Sequence, residues 1–511
     1  ACIAGHASTA VSTALGMAIA RTRLGEDYKV VALLGDGSLT GGLAYEGLSM
    51  AGQSGEPLVV ILNDNGMSID ASMGGVAQHL AKQRLKPQYL QAREIYRKIM
   101  NATPPGRVLH RVFHRIKDAI KTSLLPCSMF EDMGFQYMGP VDGHDVKTLT
   151  RLLDYASKVN GPVLLHVKTI KGKGYPPAEK NPDAFHGIGP FHKETGALIT
   201  SKTAETFSSR FGHDLTELAK QDQRICAITA AMTSGTGLAA FSKAFPDRFF
   251  DVGIAEEHAV TMAAGMAKQG IIPVFAVYST FFQRSYDMLI HDIAIDHIHA
   301  VFGIDRAGLV GDDGETHHGL FDLGFLQTIP SITVLCPASL DELSDMLERA
   351  VHRMDGPVAV RYPRGGENFY SENHSDAPDY LLKDGTDLTI VTFGTLTGNC
   401  LAVADRLQQE GISAQVLKLN QLVPLPTELA LDCLSKTKRL LVAEECITQG
   451  SPGQGILAAA AQSGLTLEGV AVCSCGKDFV PHGTIPQLRS LCGLDIDSLY
   501  KKAKEVMEHG R

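Results

Sequence analysis

The 511-residue chain contains no tryptophan, and only 6% of its residues are aromatic. That absence agrees with a lost stretch of chain without demanding one. No uncharged apolar run reaches about eighteen residues, so no membrane span is expected. Positive charge is not in excess either: 47 Lys and Arg against 56 Asp and Glu leave a formal charge of -9. Phosphate-backbone binders need basic surfaces, so nucleic acid is not an expected partner and small-molecule chemistry is. The ten cysteines, scattered from Cys2 to Cys492, show neither zinc-ligand spacing nor a disulfide framework. They are read as reduced, mostly buried thiols, and the expected compartment is the cytoplasm. Cys473-Ser474-Cys475 alternates on an expected strand, which puts both thiols on one face as packing groups. A basic-then-apolar leader is also missing. The chain starts at Ala1 and reaches Gly5-His6-Ala7-Ser8-Thr9 almost at once, from which a missing beginning is expected.

What is present is a composition of 44% apolar and 20% charged residues, ordinary for a globular enzyme, in a chain long enough for large buried cores. At roughly 150 residues per domain, about three domains are expected. From Lys29 to about Lys173 apolar strands alternate with helical stretches, ending in the run Val163-Leu164-Leu165-His166-Val167-Lys168. A second α/β unit begins at about Ser201, with strands expected at 225–228, 273–277, 300–304, 332–336 and 358–361. The stretch 365–379, rich in Gly, Asn, Ser and Pro, reads as a linker. A third unit begins at Leu388-Val391 and is expected to be mainly structural. The fold class is therefore α/β, three consecutive domains with mostly parallel sheets: 1–200, 201–370 and 371–511. Between Lys82 and Lys121 eleven Lys or Arg face only Glu94 and Asp118. Since the whole chain is acidic, this basic insertion, about 75–125, is read as a solvated helical segment without chemistry.

Leu34-Gly35-Asp36-Gly37-Ser38 and Asn63-Asp64-Asn65 each close an apolar run. The runs read as buried parallel strands, so Asp36 and Asn65 should emerge side by side at one sheet edge, where open α/β sheets bind ligands. An Asp carboxylate and an Asn carbonyl suit Mg²⁺ shared with a diphosphate, and Gly37 lets the backbone approach the phosphate. The tripeptide alone equally suits an ordinary strand-turn-helix; the second motif favours the metal-held diphosphate, and thiamine diphosphate in particular. Farther on, Asp251-Val252-Gly253-Ile254-Ala255-Glu256-Glu257-His258 runs from a strand into an apolar helix. A carboxylate in so apolar a setting is costly unless used. Glu256 is the candidate to hydrogen-bond a pyrimidine ring nitrogen; helix N-terminal capping by Glu256 or Glu257 is the alternative.

These motifs, with Gly139-Pro140-Val141-Asp142-Gly143-His144-Asp145, Lys171-Gly172-Lys173-Gly174-Tyr175, Tyr278-Ser279-Thr280-Phe281, Asp305-Arg306-Ala307-Gly308 and Arg361-Tyr362-Pro363-Arg364-Gly365, resemble the thiamine-diphosphate-dependent transketolase superfamily. The resemblance runs from Gly5 to the C-terminus. It is strongest to the branch that condenses pyruvate with D-glyceraldehyde 3-phosphate, releasing carbon dioxide, at the head of the methylerythritol phosphate route to isoprenoid, thiamine and pyridoxal precursors. The resemblance implies a transketolase-like fold with diphosphate-binding, pyrimidine-binding and C-terminal domains, the first N-terminally incomplete because the branch normally begins with another hundred or so residues. It implies Asp36 and Asn65 as Mg²⁺ ligands. Gly5, His6, Ala7, Gly37, Ser38, Asn65 and Tyr175 would line the cofactor, with Ala7 standing where many relatives carry Ser. Glu256 would be the pyrimidine partner and Phe281 the ring that stacks on it.

Arg306 and Arg364 each come after a strand and could clamp a phosphate through forked guanidinium donors. The loop Gly311-Asp312-Asp313-Gly314-Glu315-Thr316-His317-His318-Gly319 crowds titratable groups together, and its Asp313 and His317 match acceptor-binding positions. The resemblance implies that Tyr278 touches substrate, that His186 lies close to the reacting carbon for proton transfer or intermediate stabilisation, and that Arg284 binds the carboxylate derived from pyruvate. The resemblance further implies a homodimer, with each active site between the first two domains of one subunit. A transketolase, the decarboxylating component of a 2-oxo acid dehydrogenase, or a catalytically silent truncated paralogue remain the alternatives.

Overall fold

The computed structural model describes residues 5–66, 128–182, 184–199, 204–311 and 313–508. The basic insertion, Asp312, Cys2 and Cys127 lie outside the described residues. The chain divides into two compact units, residues 1–200 with 253–255, and 201–252 with 256–511.

In the first unit the strands are β1 (Val31–Gly35), β2 (Val59–Asp64), β3 (Gln136–Asp142) and β4 (Val163–Lys168). They form one sheet in the order β1-β2-β4-β3, and every pairing is parallel. The central β2 and β4 are the apolar runs whose side chains fill both faces, whereas β1 leaves Val31 and Leu33 exposed. The register Val31↔Val59 through Gly35↔Asn63 results from these two runs lying level. It brings Asp36 and the residues after Asn63 out together at the carboxyl edge. β3 was not among the expected strands because Gly139 and Pro140 interrupt its pattern. Glycine is required there: φ is +131° and an added Cβ would lie 2.5 Å from the His166 carbonyl oxygen.

The second unit carries β5 (Ile225–Thr229), β6 (Phe249–Asp251), β7 (Ile272–Tyr278), β8 (Ala300–Asp305), β9 (Thr333–Leu335), β10 (Pro357–Arg361), β11 (Asp379–Lys383), β12 (Leu388–Phe393), β13 (Ala414–Leu419), β14 (Gln421–Val423), β15 (Arg439–Ala443) and β16 (Gly469–Cys473). One sheet runs β14-β9-β10-β8-β7-β5-β6 and the other β11-β13-β12-β15-β16. All pairings are parallel except β14 with β9 and β11 with β13. The chain goes from β5 to β6 on one side, then crosses to β7 on the other. That reversal is the kind of switch point outside whose carboxyl ends α/β sheets bind ligands. β14 lies beyond residue 370 in sequence yet completes the edge of the sheet that begins at β5.

The expected linker 365–379 is packed rather than loose. Tyr370 and Ser375 are buried, and the Tyr370 hydroxyl donates to Glu342 at 3.2 Å. Glu342 also takes the Lys418 ammonium at 2.5 Å, both side chains fully buried. The expected alternation across Cys473-Ser474-Cys475 does not occur. β16 ends at Cys473, and the Cys475 N–H leaves the ladder to donate to the Cys446 carbonyl at 2.9 Å. The eight described cysteines are all free thiols, six of them buried. Among the described residues no helix is long and apolar enough to cross a membrane.

Candidate active site

In the first unit the site is assembled at the ends of β1 and β2. Asp36 is buried, and its Oδ2 accepts the Gly66 N–H at 3.0 Å, joining the two motifs directly. The segment bearing Gly5, His6 and Ala7 is drawn to the same place by Ser8, whose hydroxyl donates to the Ser38 carbonyl at 2.8 Å. Behind Asn65 a polar chain crosses three adjacent strands. The Tyr137 hydroxyl meets His166 Nδ1 at 2.7 Å and His166 Nε2 meets Asp64 Oδ2 at 2.9 Å, with His166 and Asp64 both buried. Asn63 accepts from the Thr169 hydroxyl at 2.7 Å. Asn65 is thus the residue of its motif that comes after two anchored neighbours. A carboxylate and an amide oxygen at one sheet edge, beside Gly37 with no side chain in the way, fit a hard cation that completes its shell with diphosphate oxygens. Among the described residues no cluster of three or more His, Cys, Asp or Glu side chains offers a self-sufficient metal site.

Tyr175 and His186 lie on the later loops of this unit. Tyr175 packs against Phe185 and Phe191 with ring centroids 5.6 and 5.8 Å away, and its hydroxyl donates to the Lys193 carbonyl at 2.8 Å. His186 is exposed and receives the Lys171 ammonium on Nδ1 at 2.8 Å, which leaves its ring proton on Nε2.

In the second unit Glu256 begins the helix Glu256–Ala267 and is fully buried. Its Oε2 takes Arg284 Nη1 at 3.3 Å, while Oε1 is buried without a hydrogen-bond partner among the described residues. Burial pushes the carboxyl pKa up, and the Arg284 charge partly offsets this. A fully buried carboxyl group with one oxygen unused among the described residues fits a heterocyclic nitrogen able to share a proton. Tyr278 ends β7, and the short helix Ser279–Phe282 turns Phe281 beside it, rings stacked at 6.0 Å. The His317 ring meets Phe281 edge-on at 5.5 Å.

Arg306 comes directly after β8 in the left-handed region, φ +57°, an uncommon state for a residue with a side chain that marks a constrained position. Its guanidinium lies 3.6 Å over the Tyr278 ring. Nε and Nη1 are buried without hydrogen-bond partners among the described residues. Desolvation, and after it the nearby Arg364 charge, lowers its pKa to about 10. Arg364 is half-exposed and pairs with Asp313 at 3.1 Å. Two guanidiniums that repel each other, one with unused buried donors, suit a phosphate dianion. The His317 pKa is lowered chiefly by burial, with Asp313 opposing and Arg306 assisting. The Thr316 hydroxyl meets His317 Nδ1 at 2.7 Å.

Beneath these groups lies a buried pair that the sequence did not single out. Arg361 Nε and Nη2 bind the two oxygens of Asp322 at 2.8 and 3.2 Å. Asp322 also accepts the Ser279 hydroxyl at 3.0 Å, and Arg361 Nη2 donates to the carbonyls of Gly319 and Glu445 at 3.2 and 3.1 Å. Arg361 stands in the same motif as Arg364; for Asp322 no sequence signal existed. The contact to Glu445 ties the third region, expected to be mainly structural, to this buried pair.

Fold and site together define an α/β enzyme of the transketolase type. Residues 1–169 match the family described as 1-deoxy-D-xylulose-5-phosphate synthase, residues 205–366 the transketolase pyrimidine-binding domain, and residues 380–499 the transketolase C-terminal domain. The chain belongs to the 1-deoxy-D-xylulose-5-phosphate synthase family. It is 43% identical to the 1-deoxy-D-xylulose-5-phosphate synthase of Heliobacterium modesticaldum over 518 residues, covering 99% of this chain and 79% of that protein. It is 44% identical to that of Clostridium kluyveri over 512 residues, covering 99% and 81%. A split-gene transketolase solved as an inactive beta4 tetramer superposes with a TM-score of 0.55 at 26% identity, covering 60% of this chain and 100% of that one. The transketolase of Campylobacter jejuni shares the fold alone, with a TM-score of 0.50 at 18% identity, covering 97% and 80%.

Proposed function

We propose that the chain catalyses the decarboxylative condensation of pyruvate with D-glyceraldehyde 3-phosphate to 1-deoxy-D-xylulose 5-phosphate and carbon dioxide, opening the methylerythritol phosphate route. The observation that carries the reading is Glu256, a fully buried carboxylate with one oxygen unengaged among the described residues. Thiamine diphosphate, when bound, supplies the electron sink for loss of carbon dioxide and for joining the two-carbon remainder to the aldehyde. Asp36 and Asn65 would hold Mg²⁺, which would neutralise the diphosphate charge. Gly5, His6, Ala7, Gly37, Ser38 and Tyr175 line the cofactor. Glu256 would share a proton with the pyrimidine nitrogen, and Phe281 would support the ring. Arg284, already the partner of Glu256, also faces the pyruvate carboxylate. Arg306 and Arg364 take the acceptor phosphate, with Tyr278, Asp313 and His317 around the acceptor and His186 placed near the reacting carbon, able to donate a hydrogen bond from Nε2.

In this reading residues 1–200 are the diphosphate-binding domain, 201–370 the pyrimidine-binding domain and 371–511 the C-terminal domain. The enzyme works as a homodimer in the cytoplasm. The test incubates the chain with thiamine diphosphate, Mg²⁺, pyruvate and D-glyceraldehyde 3-phosphate and monitors carbon dioxide and deoxyxylulose phosphate by mass spectrometry. Both products together support the proposal. Ketol transfer without carbon dioxide would make the chain a transketolase, acyl transfer to a lipoyl protein a 2-oxo acid dehydrogenase component, and cofactor binding without turnover a silent paralogue.

A further inference from the structure

The segment carrying Asp313 and His317 is closed at its base by reciprocal backbone hydrogen bonds between Gly308 and Gly319, 2.8 Å each. Within it two consecutive histidines part company. His317 turns to the Phe281 ring, whereas His318 is turned into the protein and only 3% exposed. His318 Nδ1 accepts the Val310 N–H at 3.1 Å, and Nε2 lies 3.1 Å from the Pro481 carbonyl oxygen. A backbone N–H can only donate and a carbonyl can only accept, so the two contacts require a neutral imidazole with its proton on Nε2.

Val310 passes this constraint onward. Its carbonyl accepts Arg364 Nη1 at 2.8 Å, and the same nitrogen pairs with Asp313 at 3.1 Å. Pro481, His318, Val310 and Arg364 therefore form one continuous chain of hydrogen bonds from the third region to the guanidinium proposed to hold the acceptor phosphate. A second backbone contact, from the Gly483 N–H to the Gly311 carbonyl, runs alongside at 3.5 Å.

We propose that His318 is a positioning residue for the acceptor half of the reaction, a brace that touches no substrate and sets where Arg364 and Asp313 stand. This rests on the acceptor role proposed above for those two residues. Without the imidazole the buried Val310 N–H loses its acceptor, and the loop must shift to hydrate it, taking the Val310 carbonyl away from Arg364.

The brace needs one acceptor and one donor at fixed separation, not an imidazole as such. Glutamine supplies both, its amide oxygen for Val310 and its NH₂ for Pro481; leucine supplies neither. Steady-state kinetics on His318→Gln, His318→Leu and Arg364→Ala test the proposal. His318→Gln should remain close to the parent. His318→Leu should raise the KM for D-glyceraldehyde 3-phosphate roughly tenfold, the scale of one lost buried hydrogen bond, while the KM for pyruvate holds. An unchanged acceptor KM in His318→Leu, equal damage from Gln and Leu, or a parallel rise in pyruvate KM would overturn it. If Arg364→Ala raises the acceptor KM and His318→Leu does not, the brace alone is wrong. If Arg364→Ala leaves it unchanged, the acceptor assignment falls and the brace with it. Should His318→Leu fail to fold, His318→Asn, too short to span both partners, takes its place under the same criteria.

Discussion

Replacing Glu256 by glutamine changes one heavy atom and removes one charge from a side chain that itself meets no solvent. The side chain is fully buried, and Arg284 donates to Oε2 at 3.3 Å. The amide oxygen can still accept that bond, so the helix start at Glu256 should survive. Arg284 loses the Glu256 charge and retains some access to water. Burial already holds the carboxyl pKa above its usual value, so exchanging it for a neutral amide costs the fold little, and a melting temperature within a few degrees of the parent is expected. Catalysis should fare differently, because an amide cannot share a proton with a ring nitrogen. Positioned acid-base groups contribute about 10²–10⁴ in rate, so kcat should fall by that factor, equivalent to about 3–5 kcal/mol of barrier. Turnover by coupled assay, thiamine diphosphate affinity by calorimetry, and exchange of the thiazolium carbon's proton by quenched NMR separate the effects. A cofactor Kd within an order of magnitude of the parent, with slow exchange and slow turnover, is expected. A kcat reduced less than about tenfold, or an unaltered exchange rate, would refute the proton-sharing argument.

Asp36→Ala should chiefly abolish the Mg²⁺-dependent part of cofactor binding, since a hard cation loses its carboxylate; calorimetry with and without Mg²⁺ that showed equal affinities in parent and variant would remove Asp36 from the metal site. Gly319→Ala should lose activity and about 1–3 kcal/mol of stability, because the new Cβ would lie 2.4 Å from the Arg306 carbonyl oxygen and 2.7 Å from Ser279; a variant as stable and active as the parent would contradict that packing. Glu444 lies away from the chemistry, and burial pushes its pKa up to about 7. The folded state then holds a proton that the unfolded chain releases, so this group's contribution favours folding at low pH and is lost as pH rises from about 4.5 to 7. Relative to Glu444→Gln the parent should lose roughly 3 kcal/mol across that window, measured as denaturation midpoints between about pH 5 and 8; a pH-independent difference would contradict the burial of this carboxylate.

Much of the architecture could be read locally. Val59–Asp64 and Val163–Lys168 are strands because a continuous apolar run fits only an element covered on both faces, and the polar residue that follows such a run emerges at the sheet edge. Asp36, Asn65 and Glu256 were legible for that reason: each is a polar residue placed where an apolar element begins or ends. β3 was not, because Gly139 and Pro140 erase the pattern and its place in the sheet depends on β4. β14 escaped because an isolated three-residue strand acquires meaning only from β9, its partner far back in the chain.

Within Arg361-Tyr362-Pro363-Arg364 the sequence placed Arg361 at the end of an expected strand and Arg364 beyond it, without showing what either guanidinium meets. Tertiary structure separated them: Arg361 ends β10 inside the core and is neutralised by Asp322, whereas Arg364 lies beyond the strand, half-exposed, against Asp313. His317 and His318 divide in the same way, one toward Phe281 and one toward Pro481. By itself the sequence determined the α/β class, most of the buried strands and where the candidate site residues fall relative to them, since these come from local hydrophobic period and residue chemistry. Which polar groups are paired within the core and which face the site was decided only by the tertiary structure, because a charge's environment is set by residues that are distant in the chain and adjacent in space.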